Sequence, residues 1–157
     1  MKIEYRIATP VDLPQLADLR WRLRVDDEPV ADRVAYDGFV ANFICICSAE
    51  WNARDVVHWI AADGANVVGV FSIILVQKLP SPENLRGRWG YISNSYVLPD
   101  FRNAGVGQEL LAAVKKWAQE ESLELLVVWP SERAYSFYER SGFARHPDPL
   151  VLKLKTT

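Results

Sequence analysis

The sequence predicts an α/β (α+β) fold, in which a mixed, mostly antiparallel central sheet carries helices on both faces. An alternating segment is followed by two segments with apolar residues at helical spacing, and then by two β-branched runs joined by a turn signal. An amphipathic segment next leads into a short, almost wholly apolar one. The resulting order is β-α-α-β-β-β-α-β-α-β. The 157 residues, half of them hydrophobic, are enough for one domain spanning residues 1–157.

The first half of the chain predicts one strand and two helices. Residues 3–8, IEYRIA, alternate in polarity as a strand does. Thr9 is a candidate N-cap, and Pro10 and Asp12 suit the first turn of the helix that follows. Leucines recur at helical spacing at positions 13, 16, 19 and 23, and residues 31–50 predict a second helix. The apolar side of that second helix carries Val40, Phe43, Ile44 and Cys47.

The second half predicts the rest of the sheet. VVHWIAADGANVVGVFSIILVQ holds two β-branched runs around DGAN, which is typical of a hairpin. Residues 89–98 predict a further strand and residues 105–121 an amphipathic helix. LELLVVW predicts a short strand covered on both faces. A last helix is expected from Ser131 through Ser141, where Gly142 ends it, and PLVLKLK predicts a closing strand.

Composition and charge exclude several classes of protein. A net charge of −2 gives no general attraction to nucleic acid or to an anionic membrane surface. The first residues lack the unbroken apolar region of a secretion signal, and no apolar run approaches the roughly 18 residues of a membrane span. Cys45 and Cys47 are poorly spaced to bridge each other, and no second Cys/His pair completes a zinc site. We therefore expect a cytoplasmic protein with buried, reduced thiols, no metal, and no nucleic-acid or membrane partner.

The stretch YVLPDFRNAGVGQELLAAV, residues 96–114, is the strongest candidate for a binding site. A helix start offers unpaired N–H groups and a partial positive charge, and Gly105 and Gly107 leave that backbone accessible. Arg102 adds a cation, so the combination predicts a site for a phosphate or pyrophosphate. The alternative is a tight turn from strand to helix. A P-loop is excluded because Gln108 and Glu109 follow Gly107, and a dinucleotide fingerprint is excluded because its third glycine is replaced.

RNAGVG at residues 102–107 and SERAYSFYERSGF at residues 131–143 are two blocks that together resemble the GNAT superfamily of acetyl-CoA-dependent N-acetyltransferases. The first, Arg102-Asn103-Ala104-Gly105-Val106-Gly107, is similar to that family's (Arg/Gln)-x-x-Gly-x-(Gly/Ala) loop. The second, SERAYSFYERSGF, is similar to its signature of small-polar, Ala, aromatic-Tyr and Gly-Phe positions. That block is carried here by Ser131, Ala134, Phe137, Tyr138, Gly142 and Phe143. The predicted order of elements also resembles the GNAT fold.

The resemblance implies that the anion is the pyrophosphate of acetyl-CoA, the acetyl donor. Backbone groups of Tyr96, Val97 and Leu98 would pair with the pantetheine arm like an added strand. The donor would enter through a splay between the fourth and fifth strands, near SNSYV. Ser131 stands where many relatives carry Asn, which implies a weaker contact with the arm. The pyrophosphate would be bound beside the cation of Arg102, by the amides of Asn103, Ala104, Gly105, Val106, Gly107 and Gln108.

The same resemblance implies roles at the thioester. The N–H near Val97 would stabilise the oxyanion, and Tyr138 would lie beside the sulfur as the general acid. The alternative for Tyr138 is simple packing at helical spacing. The strand GYISNSYV lacks the carboxylate that often acts as base in this family. We therefore expect deprotonation through a water chain near Asn94 and Ser95, whereas His58 is expected to be a structural histidine facing a helix.

The acceptor is less well determined by the sequence. RVDDEPVADRVAYDGF is rich in carboxylates, and Asp27, Glu28 and Tyr36 are candidate contacts for a cationic amine. A solvated acidic loop is the alternative. We expect a small-molecule primary amine rather than a protein lysine.

Two further hypotheses concern class and assembly. A non-catalytic acyl-CoA-binding sensor or pseudoenzyme is the alternative to an active enzyme, and a tRNA-acylating toxin would need a basic face. A homodimer through the terminal strand DPLVLKLK is expected, unless Lys153 and Lys155 protect that edge.

Overall fold

The computed structural model describes residues 2–25, 32–53, 55–146 and 149–154. The strands are β1 (Ile3–Ile7), β2 (Val56–Asp63), β3 (Asn66–Gln77), β4 (Arg88–Val97) and β5 (Leu126–Val128), and the helices are α1 (Leu13–Arg24), α2 (Arg33–Ala49), α3 (Val106–Glu120) and α4 (Tyr135–Arg140). Short 3-10 turns cover Pro10–Asp12, Pro99–Phe101 and Glu132–Ala134. No helix in these ranges is both long and apolar enough to cross a membrane.

The five strands form one sheet in the order β1-β2-β3-β4-β5. The first three pairings are antiparallel, and β4 and β5 are parallel. A parallel neighbour requires a crossover connection, which α3 supplies between β4 and β5. The prediction of a mixed, mostly antiparallel sheet with helices on both faces is therefore confirmed.

Each face of the sheet has its own apolar core. On one face, Leu110, Val114 and Trp117 of α3 pack with Phe71 and Ile73 of the sheet. These positions follow the helical period, which explains why this amphipathic helix was predictable from the sequence. Tyr138 of α4 belongs to the same core.

The leucines of α1 form the core of the opposite face. Leu13, Leu16 and Leu19 pack with Ile60 and Val70 there. α2 covers α1 from outside: none of its residues is fully buried, although Phe43, Ile44 and Cys47 reach this core as predicted.

An ion pair sets the entry to α1. Both Arg6 Nη atoms donate to Asp12, at 2.9 and 3.0 Å, and Thr9 N donates to the same carboxylate at 2.8 Å. The hydrogen bond from Arg6 holds the pKa of the Asp12 carboxyl below its usual range. This arrangement ties the first turn to β1, so that α1 lies across the sheet with its leucines inward.

Three expectations about the chain were wrong. Residues 149–154 form no strand, because Pro149 lacks an N–H and the apolar side chains from Leu150 to Leu154 are largely exposed instead of packed on β5. β5 is three residues long and only partly buried rather than covered on both faces, since it is the edge strand among the described residues. Cys45 is exposed because it lies on the outer side of α2, and no disulfide joins it to Cys47.

Candidate active site

β4 extends beyond its neighbour β5. The two strands pair only over residues 90–92 of β4, whereas β4 continues to Val97. On its other side, Ser72 of β3 faces Asn94 and Ile73 faces Ile92, so Ser93 is the extra residue of a β-bulge. Among the described strands, none pairs with β4 on the β5 side after this bulge. The opening agrees with the splay predicted near SNSYV.

The open edge of β4 presents the backbone of Val97. Leu98 N donates to Val68 O at 2.9 Å, which directs the Leu98 N–H toward β3. Successive residues of a strand turn their backbone groups to opposite sides, so Tyr96 faces β3 and Val97 faces the opening. Of the three residues predicted to bind the pantetheine arm, Val97 thus has its N–H directed outward, and the N–H of Leu98 is already bonded within the sheet.

The loop after β4 ends in an uncapped helix start. Gly105 is the residue before α3, with φ +82°, and Asn103 has φ +59°. Such backbone angles favour glycine and tolerate asparagine. No side chain caps α3, so the N–H groups of Val106, Gly107 and Gln108 in its first turn are without a capping acceptor. This is the geometry expected of a phosphate-binding turn.

Two residues shape the approach to this turn. Arg102 Nε donates to Val97 O at 2.8 Å, and its guanidinium lies 5.2 Å from the centre of the Tyr96 ring. A Cβ added at Gly107 would lie 3.5 Å from Val97 and 3.6 Å from Phe137, which are ordinary contacts. Arg102 therefore joins the end of β4 to the loop, and Gly107 is not required by crowding within the protein.

Tyr138 lies on α4 and contacts the part of β4 from the bulge at Ser93 to Val97, which we call the bulged half of β4. Its side chain is 3 % exposed, and its hydroxyl donates to Ser95 Oγ at 3.0 Å. Burial raises the pKa of Tyr138, and the bond to Ser95 opposes that shift only in part. The phenol is therefore protonated at neutral pH and can donate a proton. Ser131, in contrast, is exposed and is the N-cap residue just before the 3-10 turn that leads into α4.

A cavity of about 290 Å³ opens on the α1–α2 side of the same bulge. Its wall includes Arg20 of α1, Trp51 after α2, His58 of β2, Ser72 of β3 and Asn94 of β4. His58 Nδ1 lies 2.7 Å from Ser72 Oγ, which also accepts a hydrogen bond of 3.1 Å from Asn94 Nδ2. Arg20 Nη1 donates to Asn94 Oδ1 at 3.4 Å. A chain of polar side chains therefore crosses the cavity wall, which also contains Glu50 and Ser93.

His58 faces the helical layer, as predicted. Its ring lies 5.9 Å from the ring of Trp51, and burial lowers its pKa. The neutral ring can accept a hydrogen bond at Nδ1 from the Ser72 hydroxyl. Ser72 Oγ can then accept the hydrogen bond from Asn94.

Sequence reasoning missed Arg20 and Ser72. The signal for Arg20 was its spacing, because it stands four residues after Leu16 and three before Leu23, on the inward stripe of α1. Ser72 lies within an apolar strand and gave no comparable signal, apart from being a polar residue there.

The predicted acceptor contacts are only partly within the described chain. Asp27 and Glu28 lie outside the described residues. The Tyr36 hydroxyl donates to Asp18 at 2.7 Å, and its ring meets Trp21 edge-on, away from the cavity wall. Within residues 2–25, 32–53, 55–146 and 149–154, no cluster of three His, Cys, Asp or Glu residues could hold a metal ion.

Comparison with known proteins decides the family. The model of the Acetyltransferase (GNAT) family matches residues 13–143. The chain belongs to the GNAT acetyltransferase family. The matched range contains both sequence blocks, the bulged strand and the start of α3. The resemblance noted in the sequence is thereby confirmed, and the protein is an acetyl-CoA-dependent N-acetyltransferase.

Solved structures share the fold at low sequence identity. A predicted acetyltransferase from Clostridium acetobutylicum, solved with acetyl-CoA, is similar with a TM-score of 0.76, at 24% identity over 97% of this chain and 96% of that one. Glucosamine-6-phosphate N-acetyltransferase from Arabidopsis thaliana gives 0.70 at 16% identity, over 99% and 100%. An aminoglycoside acetyltransferase from an uncultured soil metagenomic sample, in complex with trehalose, gives 0.74 at 15% identity, over 99% and 97%. No curated protein matches the sequence significantly.

Proposed function

We propose that this enzyme moves an acetyl group from acetyl-CoA to the primary amine of a small molecule, by direct attack in a ternary complex. One observation carries the proposal. The bulged half of β4 is open at its edge beside Val97, touches Tyr138 on one face through Ser95, and borders a cavity on the other face. Donor, acid and acceptor can therefore meet at one strand.

The residues present suit acetyl-CoA as the donor substrate. The start of α3 has no side-chain cap, and Gly105 and Gly107 place no side chain over its N–H groups, which suits a pyrophosphate. The binding set that we propose comprises Tyr96, Val97, Leu98, the loop residues 102–108, Ser131 and Tyr138. Val97 supplies its backbone at the open edge, and Arg102 supports that edge through the Val97 carbonyl.

The chemistry uses few groups of the chain. Bound acetyl-CoA supplies a thioester. The amine nitrogen forms a bond to the acetyl carbon while the carbon–sulfur bond breaks, and the Val97 N–H stabilises the negative charge that develops on the carbonyl oxygen. Tyr138 gives its proton to the departing thiolate, and its raised pKa keeps that proton available. The amine loses a proton to water positioned by Asn94 on the cavity face of β4. The Tyr138 phenolate, next to Ser95 on the opposite face, regains a proton from solvent.

Two features support a small-molecule acceptor. The cavity of about 290 Å³ is bounded by both helices and the sheet, and it is about the size of a small ligand's site. The fold is shared with enzymes named for glucosamine 6-phosphate and for aminoglycosides.

We also propose a cytoplasmic homodimer that pairs through the exposed apolar segment around Leu150–Leu154, and no nucleic-acid or membrane partner.

Replacement of Tyr138 by Phe tests the proposal. CoA release would be followed with acetyl-CoA and a panel of primary amines. Tyr138→Phe should lower kcat by roughly 100- to 10,000-fold, because the general acid is lost. Acetyl-CoA affinity should stay within about twofold, because the ring is kept. The matched control is Tyr135→Phe on the same helix, which should leave both unchanged.

Each outcome separates the enzyme from the sensor. Turnover that Tyr138→Phe abolishes while binding persists supports the mechanism. Tight acetyl-CoA binding without turnover of any amine would instead indicate a non-catalytic acyl-CoA-binding protein.

A further inference from the structure

Arg20 occupies an unusual place for a cation. It lies on the inward stripe of α1, between buried Leu16 and Leu19 and the partly buried Leu23. Its side chain is half-buried and lines the cavity on the α1–α2 side of β4. Among the described residues, its guanidinium donates one hydrogen bond, to the amide oxygen of Asn94, at a long 3.4 Å. The charge therefore points to the bulge rather than to solvent.

No carboxylate in the described part of the chain forms an ion pair with Arg20. Two other arginines do form ion pairs: Arg6 with Asp12 at 2.9 Å and Arg22 with Asp18 at 2.8 Å. Burial lowers the pKa of Arg20, and the neighbouring Arg24 lowers it further. A half-buried cation beside a second cation is costly, and a bound anion would offset that cost.

We propose that the acceptor amine also carries an anionic group, a carboxylate or a phosphate, which Arg20 binds. This inference rests on the proposed function and specifies its substrate class. A guanidinium binds either oxyanion through paired N–H donors, and the Asn94 amide lies beside it.

The position of Asn94 orients such an acceptor. Asn94 stands three residues before Val97 on β4, so an anion at Arg20 places a short substrate's amine near the open edge. A purely cationic polyamine would instead bring positive charge to Arg20 and Arg24. The acceptor class therefore differs from the cationic amine that the acidic stretch of the sequence suggests.

Matched pairs of amines test this inference. The enzyme saturated with CoA would be titrated by calorimetry with glucosamine and glucosamine 6-phosphate, with tyramine and L-tyrosine, and with spermidine. Turnover with acetyl-CoA would be measured for the same compounds. In the wild type, the anionic member of at least one pair should bind roughly 10- to 100-fold more tightly. Arg20→Gln should remove that preference by raising the KM for the anionic member of the pair. The control Arg22→Gln should keep the preference.

Acetyl-CoA binding distinguishes the two levels of the proposal. Both variants should bind acetyl-CoA as the wild type does, because Arg20 lies on the acceptor side. A protein that binds CoA but binds no anionic amine better than its partner, or whose preference survives Arg20→Gln, contradicts the Arg20 inference alone. A protein that binds no acyl-CoA contradicts the proposed function itself.

Discussion

The two sides of β4 differ in how they are built. The donor side is formed by one continuous stretch, residues 96–108, in which the end of the strand, the turn at Gly105 and the start of α3 follow each other directly. The acceptor side joins Arg20, His58, Ser72 and Asn94 from four separate elements. In the proposed site, the donor contacts are mainly with backbone groups, whereas the acceptor contacts are with side chains.

This difference explains what varies and what stays constant in such a site. A backbone turn binds the same phosphate whatever the neighbouring side chains are, provided that the turn can form. A cavity made of side chains changes its ligand with single substitutions, because each side chain supplies its own charge and shape. The donor can therefore be predicted from the sequence of the turn, whereas the identity of the acceptor depends on the particular side chains of the cavity.

The largest effect on folding is expected from a pair of glycine substitutions on the donor side. Gly105→Ala should lower the free energy of unfolding by about 1–2 kcal/mol, because φ +82° is unfavourable for a residue with a Cβ. Gly107→Ala should raise it by about 0.5–1 kcal/mol, since Gly107 is helical and its added Cβ meets only ordinary contacts. Urea unfolding measures both.

Acetyl-CoA titration of the same pair sharpens the comparison. The Gly107→Ala variant should bind acetyl-CoA as tightly as the wild type, because the (Arg/Gln)-x-x-Gly-x-(Gly/Ala) loop allows either Gly or Ala at this position. Equal destabilisation by both substitutions would show that crowding, and not backbone conformation, determines the loop.

A smaller effect, which depends on pH, is expected on the acceptor side. Burial lowers the pKa of His58, so the unfolded chain binds its proton more readily than the folded one. The stabilisation that follows is present above the ordinary histidine pKa of about 6.5 and is lost as the pH falls toward the lowered folded value. His58→Gln should flatten this part of the stability profile.

Urea unfolding between pH 7.5 and pH 5 would measure the effect. The matched control is His146→Gln, since His146 is exposed. A profile for His58→Gln that falls as steeply as the wild type would exclude His58 as the group responsible.

Much of the fold was predictable because its signals are local. The leucine spacing of α1, the DGAN hairpin and the apolar stripe of α3 each specify an element from adjacent residues. The prediction of a closing strand was wrong because strand formation does not depend on local signals alone. Alternation alone predicts a strand at residues 149–154, but a strand forms only where its backbone groups reach a neighbouring strand, and alternation does not show whether they do.

The candidate site divides in the same way. Gly105, Arg102 and Tyr138 were found through short motifs, and the structure places Tyr138 at Ser95, beside the bulge. Arg20 and Asn94 are 74 residues apart in sequence. Their contact depends on how α1 crosses the sheet. The helical spacing that puts Arg20 on the inward stripe of α1 therefore could not show which cavity its charge would face.

The most direct test of the central claim is a calorimetric titration with acetyl-CoA. The claim is that the loop from Arg102 to the start of α3 binds the donor. The wild type should bind acetyl-CoA and CoA, and the Arg102→Ala/Gly105→Val double variant should lose most of that affinity while circular dichroism shows that it remains folded. Arg86→Ala, an exposed arginine on the β3–β4 loop, should bind as the wild type does. Unchanged binding by the folded double variant, or no binding by the wild type, would contradict the account.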